Sequence, residues 1–125
     1  MNAFDRAKMA YSSPAAPTRT LRATEYDAFA RITHRLKSAE QAARRDFAAL
    51  VLALQDNRSL WSVMADDVAD PGNGLPLALR RQVFELATFT NKHTSRVLAG
   101  ETTAAALIDI NTAIMRGLRG EGAGE

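Results

Sequence analysis

There is no cysteine among the 125 residues of this chain. Disulfides, thiolate metal sites and cysteine nucleophiles are excluded with it. Proline and glycine are absent over the whole interval between Pro17 and Pro71, so no tight turn of the Gly/Pro kind interrupts it. Aromatic residues make up 6% of the chain, which leaves little material for base-stacking platforms. No apolar run approaches the roughly 18 residues of a membrane span. The opening "MNAFDRAKMAY" puts Asp5, Arg6 and Lys8 where a signal peptide needs an unbroken apolar segment. The expectation is a protein that stays in the cytoplasm.

What is present describes an ordinary soluble domain: 46% apolar residues and 24% charged. The length suits one domain, expected over residues 1–119, with "GEGAGE" at 120–125 as a disordered tail. The net charge of +2 is unevenly spread. Residues 1–45 hold nine Lys/Arg against four Asp/Glu, residues 46–75 one against five, and residues 76–125 six against five.

The strongest pattern is a stripe of Phe29, Ile32, Leu36, Ala39, Ala43, Phe47, Leu50 and Leu54, at steps of three and four. That is the period of an amphipathic helix. The same phase collects Leu21 upstream and Trp61, Met64 and Val68 downstream. It predicts one very long helix, or two or three nearly coaxial ones with a joint near Ser38–Gln41 or Asp56–Asn57. Before it, residues 1–11 suit a short amphipathic helix, which Pro14 and Pro17 interrupt. Thr18 or Thr20 is placed to cap the long helix. "DPGNGLP" (Asp70–Pro76) is a loop, with Pro76 suited to a first helical turn. The next helix is expected to bury Leu79, Val83, Leu86, Thr90, His93 and Val97, flanked by Ala87 and Phe89, with Arg81, Glu85, Lys92 and Arg96 opposite. Gly100 can end it, and Thr102 or Thr103 can cap the last helix. No segment alternates with the period of two of a strand. The predicted fold is all-α, an antiparallel bundle of four or five helices with one long N-terminal helix or helix pair.

Catalytic motifs are not found. Asp66, Asp67 and Asp70 match a diphosphate-magnesium spacing, but a second metal motif is lacking and a solvated helix end explains them. His34 and His93 sit on different helices outside any His-Glu-x-x-His pattern, and each reads as a packed or hydrogen-bonded side chain. Gly72 and Gly74 lack the lysine and spacing of a phosphate loop. The expectation is a non-enzyme with no metal and no cofactor. Basic residues of the long stripe fall on both of its sides: Arg22, Lys37 and Arg44 on one, Arg31, Arg35 and Arg45 on the other. They border a core rather than form one phosphate track, so nucleic acid is not the expected partner.

Two polar residues stand out. Asn57 projects onto the long apolar stripe, and Asn111 onto the stripe of Leu107, Ile110, Ile114 and Leu118. A buried amide left unpaired costs about 1–3 kcal/mol, so each should have a partner. Register-fixing hydrogen bonds explain them; so does a groove that receives another helix.

"NRSLW" (57–61), "NGLPLALR" (73–80) and "LIDINTAIMRGL" (107–118), with the start "TEYDAFARITHRL" and Tyr11, resemble the FlaF family of alphaproteobacterial flagellar biosynthesis regulators. The resemblance covers nearly the whole chain; the "SSPAAPTRT" segment is expanded relative to the family's helix start. It implies a small helical cytoplasmic protein that acts on flagellin synthesis and export. Such a protein would bind flagellin as a secretion chaperone or adaptor, in functional opposition to the flagellin-mRNA regulator FlbT. An RNA-binding regulator of flagellin message is the alternative. Flagellin ends are amphipathic helices prone to premature association, and helix-in-groove binding would cover them. Carried over as partner-binding candidates are Asn57, Arg58, Trp61, Asn73, Leu75, Pro76, Arg80, Asp109, Ile110 and Asn111, joined by Phe84, which projects away from its helix's stripe. Trp61 suits a core residue or a binding anchor. Leu75–Pro76 is expected to set a turn, and Arg80 and Asp109 to pair across neighbouring helices.

Overall fold

A computed structural model describes the backbone of residues 18–118 and the side chains of residues 26–117. The expected helix at 1–11, its proline break, the caps at Thr18 or Thr20, and the tail at 120–125 lie outside those bounds, wholly or in their side chains. Among the described residues four helices occur in order: α1 (Thr18–Gln41), α2 (Phe47–Ala69), α3 (Leu77–Leu98) and α4 (Ala105–Leu118). No strand occurs among the described residues.

The long stripe does not form one helix. The chain turns at residues 42–46, where the Arg45 and Asp46 N–H groups both donate to the Ala42 carbonyl. Asp46 then caps α2, its Oδ1 accepting from the Ala49 N–H at 3.1 Å, the usual N-cap to N3 bond. Nor are the two helices coaxial: they pack side by side and antiparallel. Phe29 meets Trp61 edge-on at 5.7 Å, and Arg35 reaches Asp56 at 3.5 Å. Periodicity reports which face of a helix is apolar and is silent on the direction of its axis, so a turn that preserves phase is invisible to it. The second proposed joint, at Asp56–Asn57, lies inside uninterrupted α2. Phe47, assigned to the core stripe, is the first residue of α2 and is 47% exposed.

Going round the bundle, α1 packs on α2, α2 on α3, α3 on α4 and α4 back on α1. The α3–α4 contact is the slightest, and α2 and α4 face each other across the middle. The α2–α3 loop includes Gly74 at φ +87°, a left-handed conformation that glycine adopts without Cβ strain. Pro76 is the N-cap of α3 rather than its first helical residue. At the other end Gly100 has φ +76°. There the Glu101 N–H donates to the Arg96 carbonyl and the Gly100 N–H to the Val97 carbonyl, a Schellman termination. Thr103 then accepts the Ala105 N–H at 3.3 Å, and Glu40 of α1 accepts the Ala104 N–H at 2.6 Å.

The core has two apolar layers. One holds Phe29, Ile32, Leu60, Trp61, Val68 and Val83. The other holds Leu36, Leu50, Leu54, Val97 and Leu107. Between them every helix contributes a buried polar residue: Thr33, Asn57, Thr90 with Thr94, and Asn111. The buried face of α3 is Val83, Ala87, Thr90, His93, Thr94 and Val97. Leu79, expected inside, is 42% exposed, and Phe89 lies outside as well. The reason is that α3 packs chiefly on one neighbour, α2, which turns its small residues inward and leaves bulkier ones on the flank. His93 is buried, its Nε2 3.1 Å from the Thr103 carbonyl oxygen, and stacks on Phe89. His34 is exposed, so of the packed and hydrogen-bonded roles expected for it the packed one is not realised.

Candidate functional site

The candidate residues separate into an interior group, a structural clamp and a surface trough. The interior group spans the bundle. Trp61 Nε1 donates to Asn111 Oδ1 at 2.9 Å, and Asn111 Nδ2 donates to Asn57 Oδ1 at 2.7 Å. The direction is fixed by chemistry, because an indole nitrogen only donates. Asn111 must present its oxygen to Trp61 and its amide nitrogen to Asn57. The chain of bonds joins α2 to α4, a diagonal pair that makes no close backbone contact. Asn57 and Asn111 are fully enclosed and Trp61 is 2% exposed. Trp61 is therefore a core residue that meets the surface only where it borders the cavity beside Arg58 and Phe84, and the fully enclosed amides do not line an open groove. Asn57 Nδ2, Thr33 Oγ1 and Thr90 Oγ1 are buried without a hydrogen-bond partner among the described residues.

The clamp lies around the α2–α3 loop. Arg80 Nε donates to the Val68 carbonyl at 2.9 Å, and its Nη2 to the Asp70 carbonyl at 3.2 Å. It thus satisfies carbonyls that the end of α2 leaves without helical partners, and a cation there also suits the helix dipole. The expected pairing of Arg80 with Asp109 is not formed; Asp109 is exposed on α4. Asn73 Oδ1 accepts the Leu75 N–H at 3.2 Å, and half-buried Leu75 packs on the Trp61 layer. Together with Pro76 at the N-cap, these residues set the turn into α3, as expected of Leu75–Pro76. Ile110 is half-buried against the same layer.

The trough runs along the outside of the α2–α3 seam. Two open cavities of about 280 and 480 Å³ share Phe84 as a wall. Phe84 is 49% exposed, so its projection away from the core stripe is realised as exposure. Arg58 enters the same seam: its Nη2 donates to the Asn91 carbonyl and to Ser95 Oγ, both at 2.8 Å. Sequence reasoning missed Ser62, Ala65, Arg81 and Asn91, which also line the cavities. Their signal exists, since Ser62 and Ala65 lie with Arg58 at helical spacing, but only the pairing of α2 with α3 makes that face a wall.

Asp66, Asp67 and Asp70 do not converge. Asp70 sits outside α2, its Oδ1 accepting the Gly72 N–H at 2.9 Å. No three His or carboxylate side chains among the described residues are placed to share a metal.

The family model of the flagellar protein FlaF matches residues 7–118. The chain belongs to the FlaF family. No curated protein and no solved structure matches it. The FlaF match spans all four helices, the interior amides, the Arg80 clamp and the trough. Membership makes this a flagellar protein, in a family not known for enzymes. Among the described residues no helix is long and apolar enough to cross a membrane.

Proposed function

We propose that this FlaF protein binds flagellin in the cytoplasm as a secretion chaperone or adaptor, coupling flagellin synthesis to export and filament assembly. It would do so in functional opposition to FlbT. The observation that carries the reading is on α3, where Leu77 and Phe84, two turns apart on the side that faces the trough, are both exposed. Large apolar side chains grouped on one element of a small protein mark a surface for another protein. In a flagellar family, the helical ends of flagellin are a partner of the matching kind, since an amphipathic helix lays its apolar face into such a surface.

The exposed basic residues support RNA binding less well. Arg35 is already paired with Asp56, and Arg31, Lys37, Arg44 and Arg45 are scattered over α1 and the turn after it.

Calorimetric titration of the purified chain with monomeric flagellin, at low and high salt, tests the reading. Micromolar or tighter binding that survives high salt is expected, because the contact is mainly apolar. Absence of flagellin binding overturns it. Flagellin mRNA bound with a steep loss of affinity on adding salt would establish the RNA alternative instead.

A further inference from the structure

Arg58 is a part-buried charge held by neutral acceptors. Its Nη2 is held by two neutral acceptors, the Asn91 carbonyl and Ser95 Oγ. Its Nε is enclosed and has no acceptor among the described residues. The ion pairs formed there are Arg35–Asp56 and Arg96–Glu101, so no carboxylate compensates Arg58. A guanidinium partly removed from water, fixed in place and left without a counter-charge favours an incoming carboxylate.

The surroundings say what carries that carboxylate. On α2 the floor beside Arg58 is Ser62 and Ala65, spaced four and seven residues on. On α3 the wall is Leu77, Arg81 and Phe84, again at intervals of four and three. Small residues on one side and a large apolar wall on the other leave room for a rod-shaped guest. From Leu77 to Asn91 the trough runs about 20 Å at the helical rise, four turns of an added helix. Its charge is positive: Arg58, Arg80 and Arg81 line it against Glu85 alone. Arg80 is committed to the carbonyls at the end of α2, while Arg81 is exposed.

We propose that the α2–α3 trough is the docking site for an amphipathic helix of a partner, which pairs an Asp or Glu with Arg58 and Arg81 and packs its apolar face on Phe84 and Leu77. The proposal rests on the flagellin reading only for the identity of that partner; the chemistry of the guest comes from the trough. The occupant is a helix with acidic residues bordering its apolar stripe, and a basic amphipathic helix is excluded by the like charge.

The test uses the full chain, two probes and variants at exposed positions. One probe is an 18-residue amphipathic peptide with glutamates beside its apolar stripe, compared with its glutamine counterpart; the other is monomeric flagellin. Phe84→Asp and Arg81→Glu are each expected to weaken both probes about tenfold or more, with thermal melts unchanged. The glutamine peptide is expected to bind the wild-type chain about as weakly as the glutamate peptide binds Arg81→Glu. Leu52→Ala, on an outward position of α2 that lines neither cavity, should bind as wild type. Flagellin bound equally by wild type and both trough variants overturns the trough and leaves the flagellin reading standing. Glutamate peptide bound through the trough, with no flagellin binding, does the reverse. Failure of both probes to bind wild type refutes both.

Discussion

Replacing Asn111 by leucine isolates the polar link across the bundle. The two side chains branch alike at Cγ, so the substitution changes chemistry more than shape. Two buried groups lose their partners at once: the Trp61 Nε1–H and the Asn57 Oδ1. At about 1–3 kcal/mol for each orphaned group, the expected cost is about 2–6 kcal/mol. That is a large share of the roughly 5–15 kcal/mol of an ordinary domain. The double change Asn57→Leu/Asn111→Leu removes one of those orphans, along with the Asn57 Nδ2 that is already unpartnered. It should therefore be more stable than Asn111→Leu alone, although it carries one more substitution. Adding Trp61→Phe removes the last orphan and should recover stability further. Urea unfolding followed by far-UV circular dichroism measures all three variants against wild type, since Trp61 is the chain's one tryptophan and its fluorescence is lost in the triple. A cost below about 0.5 kcal/mol for Asn111→Leu, or a double variant less stable than the single, would refute the coupled network, because interacting sites must show non-additivity.

Other perturbations test the ends of the helices. Asp46→Ala should cost about 1 kcal/mol by removing the N-cap of α2, seen as a lower urea midpoint. Arg80→Met should cost about 1.5–3 kcal/mol, the range of a hydrogen bond made by a charged group, whereas Asp109→Ala should change thermal stability by less than about 0.5 kcal/mol, as exposed sites do. Equal losses from those two variants in thermal melts would restore the Arg80–Asp109 pairing that the structure replaces. Gly100→Ala should lower stability by about 1–2 kcal/mol, because its left-handed φ crowds a Cβ against backbone even where the space around it is open.

Helix content is readable along the chain because apolar spacing and the lack of breakers act locally. The stripe from Phe29 to Leu54 names most of the residues buried within that stretch, and Gly100 and Thr103 mark the α3–α4 corner. Asn57 and Asn111 are also legible as anomalies: an amide in an apolar stripe needs a partner whatever the fold. Their meeting each other and Trp61 is not legible, since the three belong to helices far apart along the chain whose backbones make no close contact. The same limit produces the errors. A five-residue turn keeps the hydrophobic phase from Ala39 to Leu50, so a reversal looks like continuation, and Phe47 looks like part of a core it only borders. Arg80 is matched to a distant carboxylate because sequence shows charges but hides the bare carbonyls at a helix end.

By itself, then, the sequence determined what depends on neighbours along the chain: the helical character of the described segments, most of their inward faces, the breaks at 70–76 and Gly100, and the need of two asparagines for partners. Tertiary structure alone decided the antiparallel turn at 42–46, the diagonal amide link and the pairing of Phe84 with the outer face of α2 as one trough. It also brought Arg58 into a seam without a counter-charge. Those features depend on which helix faces lie together, and that is set by three-dimensional packing among several apolar faces of similar strength, which no one-dimensional period encodes.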